Sequence, residues 1–411
     1  MKKFVNIPHS KYYGILLLTA ILFVAFTLWT GWLQLLFFLL LWGVLASMPK
    51  KAQQVFVYIS RNYWIKVPAY FVLIFLLAIF IRVFFFEIYN IPSGSMKKTL
   101  LPGDVIVVNK LVYGPDLPQS LKEVPWLNIF STAKDDESTK AGKRLKGFSN
   151  VGYNDIIVFD HPSKSNIYVK RCVGLPGDSL KLSGDSLFVN NKLMNNPNGL
   201  LHKYWIYSNN QFEKIRKKII QYNVGFIHAS DSMMIAIMSR KAKRKLEQSS
   251  SVDSVKLLTS ELENDYYKGR NQNNHSLIKY KISKFQFLAK ANEKDKWQDF
   301  NFGPVYIPAK GESIQLNSHN ISLYKEVIEK HEHHVVREQK GKVFIDEKEQ
   351  DSYQFKQNYY FMLGDNRSNS IDSRTWGFVP ESHLIGEATL ILFSRAGEKW
   401  LQWERFFKPL N

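Results

Sequence analysis

Three segments of the chain carry side chains whose types suit nucleophilic and proton-transfer chemistry. Ser95 lies in the Ser-Gly-Ser turn of IPSGSM, and Lys170 lies in IYVKRCVGLPGD, just before a turn rich in glycine and proline. The third segment, FMLGDNRSNSIDSRTWGFVP (361–380), is unusually polar for a hairpin loop. Between its apolar ends it holds Asp365, Asn366, Arg367, Ser370, Asp372 and Arg374. Taken alone, each segment also fits a structural role, as a turn-forming serine, a solvated strand lysine or a salt-bridged turn.

The chain around these segments predicts an antiparallel, barrel-like β domain. Short runs rich in Val, Ile, Tyr and Phe alternate with Gly, Pro and Asn, a pattern typical of strands and turns. These runs are DVIVVNKLVYG (104–114), NDIIVFDHP (154–162), NIYVKRCVG (166–174), DSLFVNNKLM (185–194), NFGPVYIPAKGESIQL (301–316), GKVFIDEKEQ (341–350) and NYYFMLGD (358–365). Because side chains alternate along a strand, Lys170 and Arg171 are expected on opposite faces.

A change of composition divides the β domain into two parts, 89–198 and 301–411. The residues between them, 199–300, are basic and Ser-rich, which predicts an inserted α/β subdomain. VGFIHAS, SDSMMIAIMSRKAKRKLEQ and SVDSVKLLTS are interpreted in that order as strand, helix and strand, with Ser230 or Asp231 as the helix N-cap.

The first 88 residues predict a membrane anchor. No charge occurs between Lys11 and Lys50, and this run of about 38 residues is too long for a single span, which needs about 20. We therefore expect transmembrane helices near 13–29, 32–48 and 67–86. The run is also too long for the apolar core of a cleaved signal peptide. Lysine and arginine flank the first and third spans on the side that should be cytoplasmic, so the chain after residue 88 is predicted to lie outside.

Composition limits the possible partners and the covalent chemistry. The 411 residues carry a formal net charge of +19, which suits either nucleic acid or an anionic membrane surface. An external location disfavours nucleic acid. The single cysteine, Cys172, excludes an intrachain disulfide and argues against a cysteine-based metal cage, so we interpret it as a small buried hydrophobe.

Together, the three polar segments resemble bacterial type I signal peptidase, also called leader peptidase. The matching elements are PSGSM (92–96), KRCVGLPGD (170–178) and GDNRSNSIDSRTWGFV (364–379), in the family's order. The resemblance covers about 68–190 and 300–395, roughly half of the chain. The longer insertion is similar to that of elaborated family members.

The resemblance implies a signal peptidase-type β fold and a Ser-Lys dyad. Ser95 matches the nucleophile and Lys170 the base, which must lose its charge to act near neutral pH, and burial favours that loss. Ser93 matches the hydroxyl that forms the oxyanion hole with the backbone N–H of Ser95. One departure is Lys98, which stands where the family usually has proline.

Three further residues match supporting positions of the family. Ser370 matches the serine that orients the lysine. Asp372 and Arg374 match an ion pair that holds the site together, for which we expect a structural role.

The implied activity is removal of signal peptides from exported preproteins. The family cuts after small residues at −1 and −3, and pockets for them are expected around 92–96 and 154–160. The implied enzyme is a multi-pass protein of the bacterial inner (cytoplasmic) membrane, with its catalytic domain on the outer side. Its partners would be signal peptides and membrane lipids, without nucleic acid, metal or cofactor. The alternatives are a catalytically silent membrane-anchored homologue that tethers exported chains and a self-cleaving regulator, which the membrane spans disfavour.

Two other clusters fit ligand binding less well than a solvated surface. His331, His333 and His334 in EKHEHH could ligate a metal, but a solvated helix face is the simpler interpretation. The basic run SRKAKRKL (239–246) could contact nucleic acid or lipid headgroups, and a solvated face is again the simpler interpretation.

Overall fold

A computed structural model describes 63–118, 120, 123–126, 144–195, 197, 199–208, 215, 217, 225–229, 233–259, 287–288, 297–397 and 401–410. The chain divides into two units, Met1–Ile88 with Pro118–Ala133, and Tyr89–Leu117 with Lys134–Asn411. The predicted spans near 13–29 and 32–48 lie outside the described residues.

The described part of the first unit contains helix α1, Tyr63–Phe84. One side of this helix exposes apolar side chains, with Phe71 69% exposed, while Ile74 and Ala78 are buried. Within the residues that the structure describes, no helix meets the combined length and hydropathy required of a membrane span.

The second unit is mainly β, which confirms the predicted fold class at that level. Its largest sheet has eight strands in the order β1-β2-β20-β3-β4-β18-β19, with β21 pairing to β20. Every strand pair whose register is described in this sheet is antiparallel. The strands are β1 Phe86–Asn90, β2 Asp104–Asn109, β3 Ile156–Asp160, β4 Ile167–Gly174, β18 Tyr359–Leu363, β19 Val379–Pro380, β20 Leu384–Ser394 and β21 Lys408–Pro409.

One apolar cluster lies beneath the turn that follows β1. It joins that turn to strands β2, β3 and β20 and includes Ile91, Met96, Leu100, Ile106, Val158 and Ile391. Because interiors are densely packed, this cluster fixes the turn against the sheet.

Smaller sheets and a larger core complete the β domain. One sheet has the order β12-β5-β6-β7, a second pairs β13 with β17, and a third has the order β14-β15-β16. Their bounds are β5 Ser179–Ser183, β6 Ser186–Val189, β7 Lys192–Leu193, β12 Asn301–Tyr306, β13 Ser313–Gln315, β14 Val336–Gln339, β15 Lys342–Ile345, β16 Lys348–Glu349 and β17 Ser352–Gln354. Helix α3, Ile321–His331, packs its apolar face on the core of these sheets. A short helix, α4, spans Ser373–Trp376.

The insertion forms its own four-stranded antiparallel sheet in the order β11-β8-β10-β9. Its elements are β8 His202–Tyr207, β9 Gly225–Ala229, β10 Met233–Met238, helix α2 Arg240–Glu247 and β11 Ser254–Leu257. The prediction of a helix that begins near Ser230 or Asp231 was therefore wrong in its first half, where the chain forms strand β10.

Strand β10 explains that error. It lies between two neighbours and most of its side chains are buried, so MMIAIM is a continuous apolar run. Such a run cannot be told from a buried helix by its periodicity. The helix starts later, where the Ser239 hydroxyl accepts a hydrogen bond from the N–H of Ala242 as its N-cap.

Candidate active site

Ser95 lies in a 3-10 turn, Gly94–Met96, directly after β1. Met96 is 1% exposed and holds the turn in the apolar cluster, which leaves Ser95 half-buried beside it. Lys98, the departure from the family pattern, has a φ of 88°. Proline cannot adopt this value because its ring fixes φ near −65°, so the backbone after Met96 turns differently from a proline-containing one.

Lys170 projects from β4 toward Ser95. Its Nζ donates hydrogen bonds to Ser95 Oγ at 2.8 Å and to the carbonyl of Val169 at 2.9 Å, and the residue is only 2% exposed. Burial lowers the pKa of Lys170 to about 8, while the charges of Asp372 and Asp365 act in the opposite direction. The pair therefore joins a hydroxyl to an amine that loses its proton readily.

Ser93 lies on the exposed side of the same turn. Its Oγ is 3.4 Å from Ser95 Oγ, so its hydroxyl borders the space in which Ser95 would react.

Ser370 is buried behind the pair. Its Oγ makes no hydrogen bond of good geometry within the described part of the chain, so the structure does not join it to Lys170. It packs instead against Gly364, at whose position a Cβ would lie 2.2 Å from Ser370 Oγ and 2.7 Å from the carbonyl oxygen of Ser95. Ser370 and the backbone of Ser95 therefore meet across a glycine that leaves no room for a side chain.

Asp372 and Arg374 form a fully buried ion pair. Arg374 Nε donates to Asp372 Oδ1 at 2.9 Å and Nη2 donates to Oδ2 at 2.8 Å. Burial by itself would raise the pKa of Asp372, but the Arg374 guanidinium and the N–H of Gly364 outweigh it and lower that pKa. Removing either partner would leave an uncompensated buried charge, at a cost of about 3–5 kcal/mol.

A second buried ion pair was not predicted from the sequence. Arg171 donates from Nε and Nη2 to the two carboxylate oxygens of Asp365 at 2.8 and 2.7 Å, and Thr99 Oγ1 also donates to this carboxylate. The sequence did hold one signal for this pair. Lys170 and Arg171 are adjacent on a strand and so point to opposite faces of the sheet, and an arginine that is buried on its face needs a carboxylate partner.

Asn366 connects the polar segment to the serine turn. Its backbone N–H donates to the carbonyl of Ser95 at 2.9 Å, and its side-chain Nδ2 donates to the carbonyl of Gly94 at 3.0 Å. The third sequence segment thereby fixes the backbone that carries Ser95.

The end of the described chain supports the same turn. Arg405 pairs with Asp104 and donates from Nη2 to the carbonyl of Thr99 at 3.1 Å. Nothing in the sequence pattern joins residues 301 positions apart, so this contact was not predictable.

Ser95 and Lys170 open into a cleft of about 770 Å³, within the usual range for ligand sites. Its walls include Ile91, Ser93, Tyr168, Lys203, Leu258 and Asn369. Lys203 and Leu258 belong to the insertion, so residues predicted to form a separate subdomain reach the site.

The remaining clusters lie outside this cleft. Among the described residues, no group of three His, Cys, Asp or Glu side chains could hold a metal. The solvated helix face expected for EKHEHH was wrong, because α3 ends at His331, whose ring packs against that of His383, and His333 has a φ of 60°. His334 contacts Asp346.

The basic helix has the solvated face, and Cys172 the buried position, that were interpreted from the sequence. In α2, Arg240 pairs with Asp185 and Lys243 with Glu247, while Lys241 and Arg244 are exposed. Cys172 is buried and free.

Comparison with known proteins identifies one family. The profile described as "Signal peptidase, peptidase S26" matches residues 62–242 and 306–393. Among curated relatives, a protein named signal peptidase I from Buchnera aphidicola of Acyrthosiphon pisum is 29% identical over 82% of this chain and 77% of its own length. Another from Pseudomonas aeruginosa is 39% identical over 28% of this chain and 34% of its own length.

Proposed function

Because the chain belongs to the signal peptidase family, peptidase S26, and is a peptidase that removes signal peptides, we propose that Ser95 is its nucleophile and Lys170 its general base. The observation that carries this proposal is the 2.8 Å contact between Lys170 Nζ and Ser95 Oγ at a lysine that is 2% exposed. A serine hydroxyl attacks a carbonyl only when a base takes its proton, and a neutral amine at hydrogen-bond distance suits that task.

The reaction then proceeds through an acyl-enzyme. Neutral Lys170 accepts the proton as Ser95 Oγ attacks the scissile carbonyl, and the ammonium returns a proton to the leaving amine as the C–N bond breaks. The same amine then deprotonates a water that attacks the ester, and as the ester C–O bond breaks the ammonium returns that proton to Ser95 Oγ and the signal peptide leaves with a free carboxylate. The backbone N–H of Ser95 and the hydroxyl of Ser93 stabilise the developing oxyanion, for which one donor is typically worth about 3 kcal/mol.

The remaining predicted residues support this machinery. Asp372 and Arg374 keep the polar segment folded, and Ser370 packs against Gly364, close to the carbonyl of Ser95. The family's preference for small residues at −1 and −3 is proposed for this cleft, because the part of its wall that precedes the two reactive residues is mostly apolar.

We also propose the membrane location that the sequence predicts. Helices near 13–29, 32–48 and 67–86 would anchor the protein in a bacterial cytoplasmic membrane, with the β domain outside. The apolar sequence and the exposed Phe71, Val72 and Leu76 of α1 support this location. It would present Ser95, eleven positions after the end of α1, to signal peptides held in the bilayer.

A precursor-processing assay tests the proposal. The full chain in detergent micelles should cut a precursor with an Ala-x-Ala site, and Ser95→Ala and Lys170→Ala should each abolish cutting. The matched controls Ser149→Ala and Lys181→Ala, both at exposed positions, should retain it. A silent tether would cut nothing even in the parent protein, and strong inhibition by a metal chelator would contradict the Ser-Lys mechanism.

A further inference from the structure

The insertion is hydrogen-bonded directly to the segment that holds Ser95. The N–H of Leu201 donates to the carbonyl of Asp365 at 2.8 Å, and the N–H of Lys203 donates to Ser368 Oγ at 2.8 Å. Leu201 also forms a parallel bridge with Asn366, whose own N–H bonds the carbonyl of Ser95. Leu201, directly before β8, is thus two hydrogen bonds from Ser95, which fixes the insertion's sheet relative to the cleft.

A second strand of the insertion is attached at the same point. The N–H of Leu258, just after β11, donates to the carbonyl of Lys203 at 2.9 Å. Lys203 and Leu258 are therefore neighbours, and both line the cleft that contains Ser95 and Lys170.

The cleft wall has two parts of different polarity. One part is formed by 89–93 before Ser95 and by 166–169 before Lys170, and it presents side chains such as Ile91, Ile167 and Val169. The other part presents Lys203, Asp299, Ser368 and Asn369 beside Leu258 and Ile371.

The two charged side chains in the second part of the wall, Asp299 and Lys203, differ in burial. Asp299 is 6% exposed and interacts electrostatically with the buried guanidinium of Arg374, which also donates to its carbonyl. Lys203 is only half-buried. Of these two side chains, Lys203 is therefore the more accessible to a peptide in the cleft.

We propose that Lys203 and Leu258 contact the first residues after the scissile bond, and that Lys203 makes the enzyme favour precursors with acidic side chains there. The inference rests on the proposed function, because it assigns the apolar part of the cleft to the signal peptide and the polar part to the start of the mature chain. The insertion thus supplies specificity-determining residues to the site.

The test measures kcat/KM for the full chain in uncharged detergent. The precursors share one signal peptide and one Ala-x-Ala site, with Glu, Gln or Lys at one of the first three positions after the cut. For the parent, the Glu/Lys ratio of kcat/KM should reach about fivefold at one or more of these positions, the scale of a single partly exposed ion pair. The ratio should fall toward one in high salt.

Two variants and one matched control complete the test. Lys203→Glu should invert the ratio and Lys203→Gln should bring it close to one, while the backbone bonds of Lys203 to Ser368 and Leu258 stay available. Lys181→Glu makes the same charge change on an exposed residue outside the cleft, and it should keep the parent ratio.

The outcomes separate this inference from the proposed function. If Ser95→Ala cuts as fast as the parent, the proposed function fails. If Ser95→Ala is inactive but the parent cuts Glu and Lys precursors equally at all three positions, only the present inference fails. A parent ratio that persists in Lys203→Glu overturns it as well. Should Lys203→Glu not fold, as judged by its thermal melting, the parent ratio and Lys203→Gln decide the matter.

Discussion

Replacing Lys170 by methionine should abolish activity and yet stabilise the fold at neutral pH. Burial lowers the pKa of Lys170 from 10.5 to about 8. Because the amine is protonated at pH 7 in both states, this difference lowers the free energy of unfolding at pH 7 by about 3 kcal/mol. Methionine has a similar length, carries no charge and packs well in irregular sites.

The loss of hydrogen bonds offsets part of that gain. Lys170 Nζ bonds Ser95 Oγ and the carbonyl of Val169, and each such bond contributes about 1 kcal/mol. Lys170→Met should therefore raise the free energy of unfolding at pH 7 by about 1 kcal/mol.

The sign of the effect should change with pH. Because the pKa is lower in the folded state, the unfolded chain binds more protons between pH 8 and 10.5, and the stability of the parent rises with pH across this window. At pH 10 the penalty has fallen to about 1 kcal/mol, so the lost hydrogen bonds dominate and the variant should be the less stable protein.

Urea unfolding of the parent and Lys170→Met at pH 7 and pH 10, in one detergent, measures this difference. Lys181→Met is the matched control, since Lys181 is exposed and its replacement should cause no pH-dependent change. A Lys170→Met protein that is less stable than the parent by the same amount at both pH values would refute the reasoning.

Two further predictions concern activity. Because only the neutral amine can act as a base, kcat/KM of the parent should rise about tenfold per pH unit up to the Lys170 pKa of about 8; a profile that is flat from pH 6 to 9 would contradict this role. Gly364→Ala should lower kcat/KM by about a hundredfold, because its Cβ would collide with Ser370 and the carbonyl of Ser95, and displacements of about 1 Å have effects of this size. Gly152→Ala is its control, since a Cβ there meets Asp155 only at ordinary contact distance of 3.4 Å or more, and equal activity of the two variants would contradict the prediction.

The β fold was largely predictable because its strands are short, locally patterned and separated by turns. All seven segments predicted as strands contain one or two strands in the structure. The segment 185–194 forms a hairpin whose turn residues, Asn190 and Asn191, have positive φ. Strand β10 was mistaken for a helix because a strand that is buried among its neighbours lacks the alternation of apolar and polar residues that identifies strands.

The site was predictable where chemistry is concentrated in motifs and unpredictable where it depends on register. The motifs located Ser95 and Lys170, which the structure places at hydrogen-bond distance. The partners of Arg171 and Arg405 lie 194 and 301 positions away and are brought near only by the tertiary fold. The reach of Lys203 into the cleft depends on how the insertion bonds to the segment after Asp365, which no local pattern reports.

The bonds from Asp365, Asn366 and Arg405 to the segment that follows β1 also determine when this segment can become ordered during synthesis. A nascent chain extended only to residue 300 already contains the serine and the lysine, but it lacks Asn366, which bonds the carbonyls of Gly94 and Ser95, and Asp365 and Arg405, which bond Thr99. Since chains fold progressively as they are synthesised, a fragment of this length lacks the bonds that order the backbone around Ser95. The geometry of the Ser95 turn therefore depends on residues that are synthesised long after Ser95 and Lys170 themselves.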